Sequence, residues 1–324
     1  MSDLFDAVEM VSEAEKRIRP TIRRTFLDPS PYYSARSGAD VYFKCENLQH
    51  TGSFKVRGAL NKILSLPEAE WARGIVTAST GNHGAACAFA MQQVGAKGIV
   101  FVPDTAIPAK LEAVRRLGAE IRTVGSDSIE SELYARSFAT EHGMTYVPPY
   151  NDPYVIGGQG TIAVELIEQM PGAAVAPDAV FVSVGGGGLI GGIASYLKSV
   201  RPDVQVFGCS PQNSQVMALS VQAGELLDLP SLPTISDGTA GGVEEGSITF
   251  PLCRDYVDQY IAVSEEEIAA SLREFMGVQH MLIEGSAAVA IAGFLKTAGQ
   301  FQGARIAIVL CGANISLEAL KEIL

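Results

Sequence analysis

Between residues 74 and 147 short apolar runs and helical segments alternate without a break. Gly74-Ile75-Val76-Thr77-Ala78 reads as a strand, residues 84–94 as a small-residue helix ending at Gly95, and Gly98-Ile99-Val100-Phe101-Val102 as a strand before Pro103. Residues 109–117 read as a helix ending at Gly118, with Arg115 and Arg116 in the last turn, where the macrodipole favours cations. A strand at 120–124, a helix at 127–141 and a short strand at 145–147 complete the series. Strands that alternate with helices of about 10–15 residues imply βαβ units and a parallel sheet.

The flanking sequence follows the same grammar. Upstream, a helical pattern over 3–19 ends before Pro20, residues 25–37 with Pro29 and Pro31 read as loop, Val41-Tyr42-Phe43-Lys44 as a strand, and 56–66 as a helix stopped by Pro67. Downstream, helices are expected over 161–170, 189–200 and 287–297, and from the capping box Ser264-Glu265-Glu266-Glu267 to about His280. Strands are expected over 179–184, 204–209, 260–263 and 304–310, with a loop-rich stretch at 224–253. The expected fold is α/β, with open, twisted, mostly parallel sheets flanked by helices. A small domain over 72–147 is expected to interrupt a large one made of 1–71 plus 148–324.

With 324 residues, 47% of them hydrophobic, the chain can bury one large core or two smaller ones. Its net charge of −12 argues against nucleic acid or an anionic membrane surface as partner. No apolar run approaches the roughly 20 residues of a membrane span, and the acidic start, Met1-Ser2-Asp3-Leu4-Phe5-Asp6, lacks the apolar stretch of a signal peptide. The five cysteines are far apart and form no Cys-x-x-Cys, so a cytoplasmic protein with free thiols is expected rather than a zinc site or a disulfide framework.

In open α/β sheets ligands sit beyond the carboxyl ends of strands. Three unusual loops fall at such ends: Ser79-Thr80-Gly81-Asn82-His83-Gly84, Gly185-Gly186-Gly187-Gly188 and Cys311-Gly312-Ala313-Asn314. The four glycines let backbone N–H groups converge on an anion at a helix start, or simply permit close helix–strand packing. They make neither a Walker A loop, since no Lys-Ser/Thr follows, nor a good dinucleotide fingerprint, since Ser210 stands where an acidic residue would. The Ser79–Gly84 loop suits a carboxylate, with Asn82 either a helix cap or a ligand contact and His83 either structural or an acid/base. Taken alone, Cys311 at the end of a buried strand reads as a small core residue, and Glu284 as a simple cap. Lys55, between Phe54 and Arg57 in Gly52-Ser53-Phe54-Lys55-Val56-Arg57-Gly58-Ala59, is either a solvated surface lysine or an amine whose lowered pKa makes it a nucleophile.

Taken together, Ser53-Phe54-Lys55-Val56-Arg57-Gly58-Ala59, Ser79-Thr80-Gly81-Asn82-His83-Gly84, Gly185-Gly186-Gly187-Gly188-Leu189 and Cys311-Gly312-Ala313-Asn314 resemble the fold-type II pyridoxal-phosphate enzymes. Within them the likeness is to the serine/threonine dehydratase and serine racemase group. It runs from about Arg19 to Asn314 and includes Lys44-Cys45-Glu46-Asn47-Leu48-Gln49 and Ile156-Gly157-Gly158-Gln159-Gly160-Thr161. The resemblance implies a two-domain fold like that of the tryptophan synthase β chain, pyridoxal 5'-phosphate as cofactor, a small amino-acid substrate and a homodimer. It implies that Lys55 holds the cofactor as a Schiff base and acts as base at Cα. It places the cofactor phosphate on Gly185, Gly186, Gly187, Gly188 and Leu189, the ring hydroxyl on Asn82, and the ring beside Phe54, with Gly238 and Glu284 adjacent. The substrate carboxylate falls to Ser79, Thr80, Gly81 and Asn82, with His83 beside them.

Cys311 falls where such enzymes meet the pyridine nitrogen. A thiol there, as in the liver-type serine dehydratases, does not require a protonated ring, which favours rapid β-elimination. The implied activity is loss of water from a β-hydroxy amino acid, threonine or serine first and 3-hydroxyaspartate or phenylserine as further candidates, giving a 2-oxo acid and ammonia. The alternative is an amino-acid racemase with side dehydratase activity. Racemases place a serine acid/base where this chain has Thr80, whose β-branch restricts its rotamers. Ser210 and the neutral run Pro211-Gln212-Asn213-Ser214 replace the carboxylates of the related divalent-metal site, so no metal is expected there.

Overall fold

The computed structural model describes residues 5–106, 108–172 and 176–324; residues 1–4, part of the acidic start, lie outside that set. In chain order the helices are α1 (Ala7–Ile18), α2 (Pro31–Ser37), α3 (Lys55–Leu64), α4 (Glu68–Arg73), α5 (Asn82–Val94), α6 (Pro108–Arg116), α7 (Ser128–Glu141), α8 (Pro153–Gln169), α9 (Gly188–Val200), α10 (Val216–Ala223), α11 (Thr249–Tyr256), α12 (Glu265–Gln279), α13 (Gly285–Thr297) and α14 (Leu317–Ile323). The strands are β1 (Leu27–Pro29), β2 (Asp40–Lys44), β3 (Ile75–Ala78), β4 (Gly98–Val102), β5 (Glu120–Thr123), β6 (Thr145–Tyr146), β7 (Ala179–Ser183), β8 (Gln205–Pro211), β9 (Gln259–Val263) and β10 (Arg305–Val309).

The strands form two sheets, a six-stranded one in the order β1-β2-β10-β7-β8-β9 and a four-stranded one in the order β5-β4-β3-β6. Every pairing is parallel except the antiparallel edge strand β1. Parallel sheets need both faces covered, which explains the unbroken apolar runs: all five residues of β7 are buried. Phe181 of β7 stacks on Phe207 of β8 at 4.7 Å between ring centres and meets Phe294 of α13 edge-on at 5.4 Å. A second core joins α3, α5 and the four-stranded sheet through Leu60, Ile63, Ala86, Met91 and Val100. The capping box forms as expected, with Ser264 and Glu267 exchanging side-chain and backbone hydrogen bonds.

The structure corrects three expectations. Residues 25–37 are not loop: Pro29 ends the edge strand β1, where a missing N–H costs nothing, and Pro31 occupies the first turn of α2 behind the Ser30 cap. The helix expected from Thr161 starts two turns earlier, behind Asp152, whose side chain accepts from Tyr154 and Val155. Its glycines mark close approach rather than a break, since a Cβ at Gly158 would lie 2.6 Å from Arg57 O and one at Gly160 would lie 2.9 Å from Gly192 O. The loop-rich stretch contains the start of α11 at Thr249, with Pro251 tolerated in its first turn. Helices α4, α10 and α14 had no counterpart in the periodicity; they are only six to eight residues long.

Candidate active site

Parallel pairing aligns the carboxyl ends of β2, β10 and β7, three neighbours in the large sheet. The loops that follow them carry Lys55, Cys311 and the four glycines. The carboxyl ends of β3 and β6, neighbours in the small sheet, carry the Ser79–Gly84 loop and the Pro149-Tyr150 segment. All five segments line one cavity of about 730 Å³. Its walls include Phe54, Lys55, Ser79, Thr80, Gly81, Asn82, His83, Gly185, Gly186, Gly187, Gly188, Leu189, Gly238, Glu284 and Cys311. Each residue singled out in the sequence is therefore brought to the same place.

Lys55 is the first residue of α3, and the strands beneath fix its loop: Phe54 N–H donates to Cys311 O at 3.0 Å and Ala313 N–H to Gly52 O at 2.9 Å. Its Nζ donates to Pro149 O at 2.8 Å and lies 5.3 Å from the centre of the Phe54 ring. Burial pulls its pKa from 10.5 down to about 8, partly offset by Cys87, Cys311 and Glu284. Two residues on, Arg57 is fully buried in an ion cluster. Its Nε and a terminal nitrogen donate to Glu46 at 2.7 and 2.8 Å, and the other terminal nitrogen lies 2.9 Å from Glu165 and 3.0 Å from Thr161 Oγ1. Lys44 pairs with the same Glu165 and donates to Thr25 O at 2.9 Å and Gln169 Oε1 at 2.8 Å. Burial pulls the Lys44 pKa down, while the two carboxylates hold its charge.

At the glycine loop the α9 ladder opens with Gly191 N–H on Gly187 O at 2.8 Å. The N–H groups ahead of it have no acceptor within the helix and present a positive dipole end to the cavity. Gly187 has φ +84°, and a Cβ there would lie 2.8 Å from Cys253 Sγ; a Cβ on Gly185 would lie 3.0 Å from the Thr239 backbone. A Cβ on Gly186 would strike the Tyr150 ring at 2.6 Å. The small-sheet loop is built similarly. The α5 ladder begins at Ala85 N–H on Gly81 O, and Gly84 is required because a Cβ would meet Ser79 O at 2.6 Å. Gly81 has open space where a side chain would stand.

His83 lines the cavity but is committed elsewhere. Its Nε2–H donates to Val147 O at 3.0 Å, Cys87 Sγ lies 3.5 Å from the same nitrogen, and burial and Lys55 push its pKa down to about 3. It is a neutral imidazole near pH 7. Ser79 Oγ accepts from Gly81 N–H at 3.2 Å and so braces its own loop.

Glu284 is buried although charged residues rarely are, and its partners explain this. Its oxygens accept from Asn82 Nδ2 at 3.0 and 3.1 Å and from Asn314 N–H at 3.0 Å, and it packs over Gly312, where a Cβ would lie 2.6 Å from Oε1. Cys311 Sγ lies 3.9 Å from Glu284 Oε1, and burial followed by that carboxylate raises the thiol pKa, so the sulfur keeps its proton. Asn314, in the third of the signalled loops, and Tyr150, which no local sequence pattern marks, also line the cavity. Ser210 is buried with Oγ donating to Val184 O at 3.4 Å, and among the described residues no three His, Cys, Asp or Glu side chains are grouped to hold a metal ion.

The chain matches the family described as "Pyridoxal-phosphate dependent enzyme" over residues 18–312. It is 37% identical to an L-threonine ammonia-lyase of Geobacter sulfurreducens over 97% of this chain and 77% of that protein. Among solved structures it is similar to a threonine deaminase isoform of Solanum lycopersicum (TM-score 0.92, 31% identity, 98% of this chain and 92% of the other). It is also similar to maize serine racemase (TM-score 0.91, 32% identity, 97% and 95%). With a site built on one lysine and two helix N-termini, and a family match over nearly its whole length, the chain belongs to the pyridoxal-phosphate dependent enzymes.

Proposed function

We propose that the chain is a pyridoxal-phosphate-dependent ammonia-lyase that removes water from a β-hydroxy amino acid, with threonine and serine as first substrates. The observation that carries this is Lys55: an amine with a lowered pKa at the wall of a cavity that also receives two helix N-termini and a protonated thiol. The names of similar proteins, threonine ammonia-lyase and threonine deaminase, support the same reaction.

The residues present fit the cofactor. The open N–H groups of the Gly185–Gly188 turn, with Leu189, would hold its phosphate. Lys55 would hold its aldehyde carbon, Phe54 would flank its ring, Asn82 would donate to the ring hydroxyl, and Cys311 would face the ring nitrogen beside Gly238 and Glu284. When bound, pyridoxal phosphate supplies an electron sink that stabilises negative charge at Cα. The N-terminus of α5, with Ser79, Thr80 and Gly81, holds the substrate carboxylate by backbone donors and dipole. Lys55 would also take the proton from Cα, a role its lowered pKa suits near neutrality. The hydrogen of Cα and the hydroxyl of Cβ are lost together as one water, and the released enamine tautomerises to an imine that takes up one water to give a 2-oxo acid and ammonia. His83 contributes the wall behind the carboxylate rather than a proton.

The racemase reading needs an acid/base opposite Lys55, and Thr80 is the hydroxyl available for it. Assaying 2-oxo acid across a panel of β-hydroxy amino acids, with chiral analysis of recovered substrate, decides between them. Elimination with little D-enantiomer is expected; abundant D-enantiomer at low 2-oxo acid yield would overturn the proposal. The two sheets support a small domain of 72–147 set in a large one of 1–71 plus 148–324. A cytoplasmic homodimer completes the reading. Five buried free thiols support a reducing compartment, and exposed Phe26, Leu48 and Leu282 offer apolar surface for a second copy.

A further inference from the structure

Asn314 has no part in the reaction proposed above, yet it joins three segments of the site. Its Nδ2 donates to Asn82 Oδ1 at 2.6 Å and to Thr51 O at 2.9 Å, and its backbone N–H donates to Glu284 Oε2 at 3.0 Å. Gly52, at φ +72°, leaves room for it, since a Cβ there would lie 2.8 Å from Asn314 Oδ1. A primary amide has one accepting and one donating end, and which end faces a ligand depends on its neighbours. Asn82 is clamped at both ends, its oxygen by a donor on Asn314 and its nitrogen by the Glu284 carboxylate.

We propose that Asn314 is a positioning residue that fixes the Asn82 amide with its N–H end toward Glu284 and the cavity, so that the second Nδ2–H meets the ring hydroxyl of bound pyridoxal phosphate. Reversed, Asn82 would set its carbonyl oxygen against the Glu284 carboxylate and the electron-rich ring oxygen. The backbone of Asn314 also holds Glu284, but a substitution of its side chain leaves that N–H in place. The inference rests on the cofactor reading above and adds the residue that orients the ring contact.

The test is a double-mutant cycle on the full-length chain, read as pyridoxal 5'-phosphate affinity and as the visible spectrum of the loaded protein. Asn314→Ala is expected to weaken cofactor binding about 10-fold, the scale of one lost hydrogen bond in a buried polar network. Asn82→Ala combined with Asn314→Ala is expected to bind no more weakly than Asn82→Ala alone. Asn314→Asp, which keeps the shape but turns a carboxylate oxygen on Asn82 Oδ1, is expected to bind more weakly than Asn314→Ala, with a shifted absorption maximum. Wild-type affinity and spectrum in Asn314→Ala would overturn the proposal, as would losses that multiply in the double variant. Should circular dichroism find Asn314→Ala unfolded, the nearly isosteric Asn314→Asp decides alone, wild-type affinity overturning the proposal. A wild-type chain that binds the cofactor but yields no 2-oxo acid would contradict the ammonia-lyase reading and leave this comparison readable.

Discussion

The Nζ of Lys55 donates to the carbonyl oxygen of Pro149 at 2.8 Å. One partner opens α3; the other lies just past β6, where the chain leaves the small sheet for α8. The amine is thus held at the junction of the two sheets, on the cavity that both helix N-termini line, while the protein around it disfavours its charge.

Because burial draws Lys55 down to about 8, its neutral, nucleophilic form grows in as pH rises through that value. The rate at which the cofactor-free chain captures pyridoxal phosphate should therefore climb between about pH 7 and 9 and level off above. Stopped-flow absorbance measures it; a rate still rising steeply at pH 10 would mean an ordinary lysine.

The buried cluster of Lys44, Glu46, Arg57 and Glu165 should carry a large share of local stability. Glu165→Gln leaves Lys44 and Arg57 short of a counter-charge and should cost about 3–5 kcal/mol in denaturant unfolding. Burial alone would raise the Glu165 pKa, but Arg57 and Lys44 outweigh it and hold the carboxyl below its ordinary 4.5. A depressed carboxyl contributes its stability above the unfolded value and loses it as pH falls below about 4.5 toward the folded one. Part of the acid slope of the melting temperature should therefore vanish in Glu165→Gln.

Gly187→Ala combines a left-handed φ of +84° with a Cβ 2.8 Å from Cys253 Sγ. The strain should cost about 1–3 kcal/mol and fall on the turn that faces the phosphate. Equilibrium titration should find cofactor affinity at least about 10-fold weaker; unchanged affinity would place the phosphate elsewhere.

Thr80→Ser removes the β-branch that restricts the hydroxyl. The ratio of D-enantiomer to 2-oxo acid should rise, by chiral chromatography of serine reactions. No change would take the hydroxyl out of the stereochemical argument.

Much of this was legible in the sequence because the fold is regular where it matters. Parallel strands wear their burial as continuous apolar runs, as Ala179-Val180-Phe181-Val182-Ser183 does, and each signalled loop follows such a run. The early turns of α8 were hidden because Gly157, Gly158 and Gly160 usually break a helix; only the partners reveal that close approach to Met10, Arg57 and Gly192 demands them. His83 could not be resolved from its type alone, since its bond to Val147 O spans 64 residues. Asn314 and Tyr150 act through contacts across the fold, which spacing does not encode.

Everything above turns on Lys55 as the residue that carries the cofactor. Incubating the chain with pyridoxal 5'-phosphate, reducing with borohydride and mapping the digest by mass spectrometry locates the attachment. A pyridoxyl adduct on the peptide containing Lys55, absent from Lys55→Ala, is the predicted result; an adduct on another lysine, or one that persists in Lys55→Ala, would contradict it.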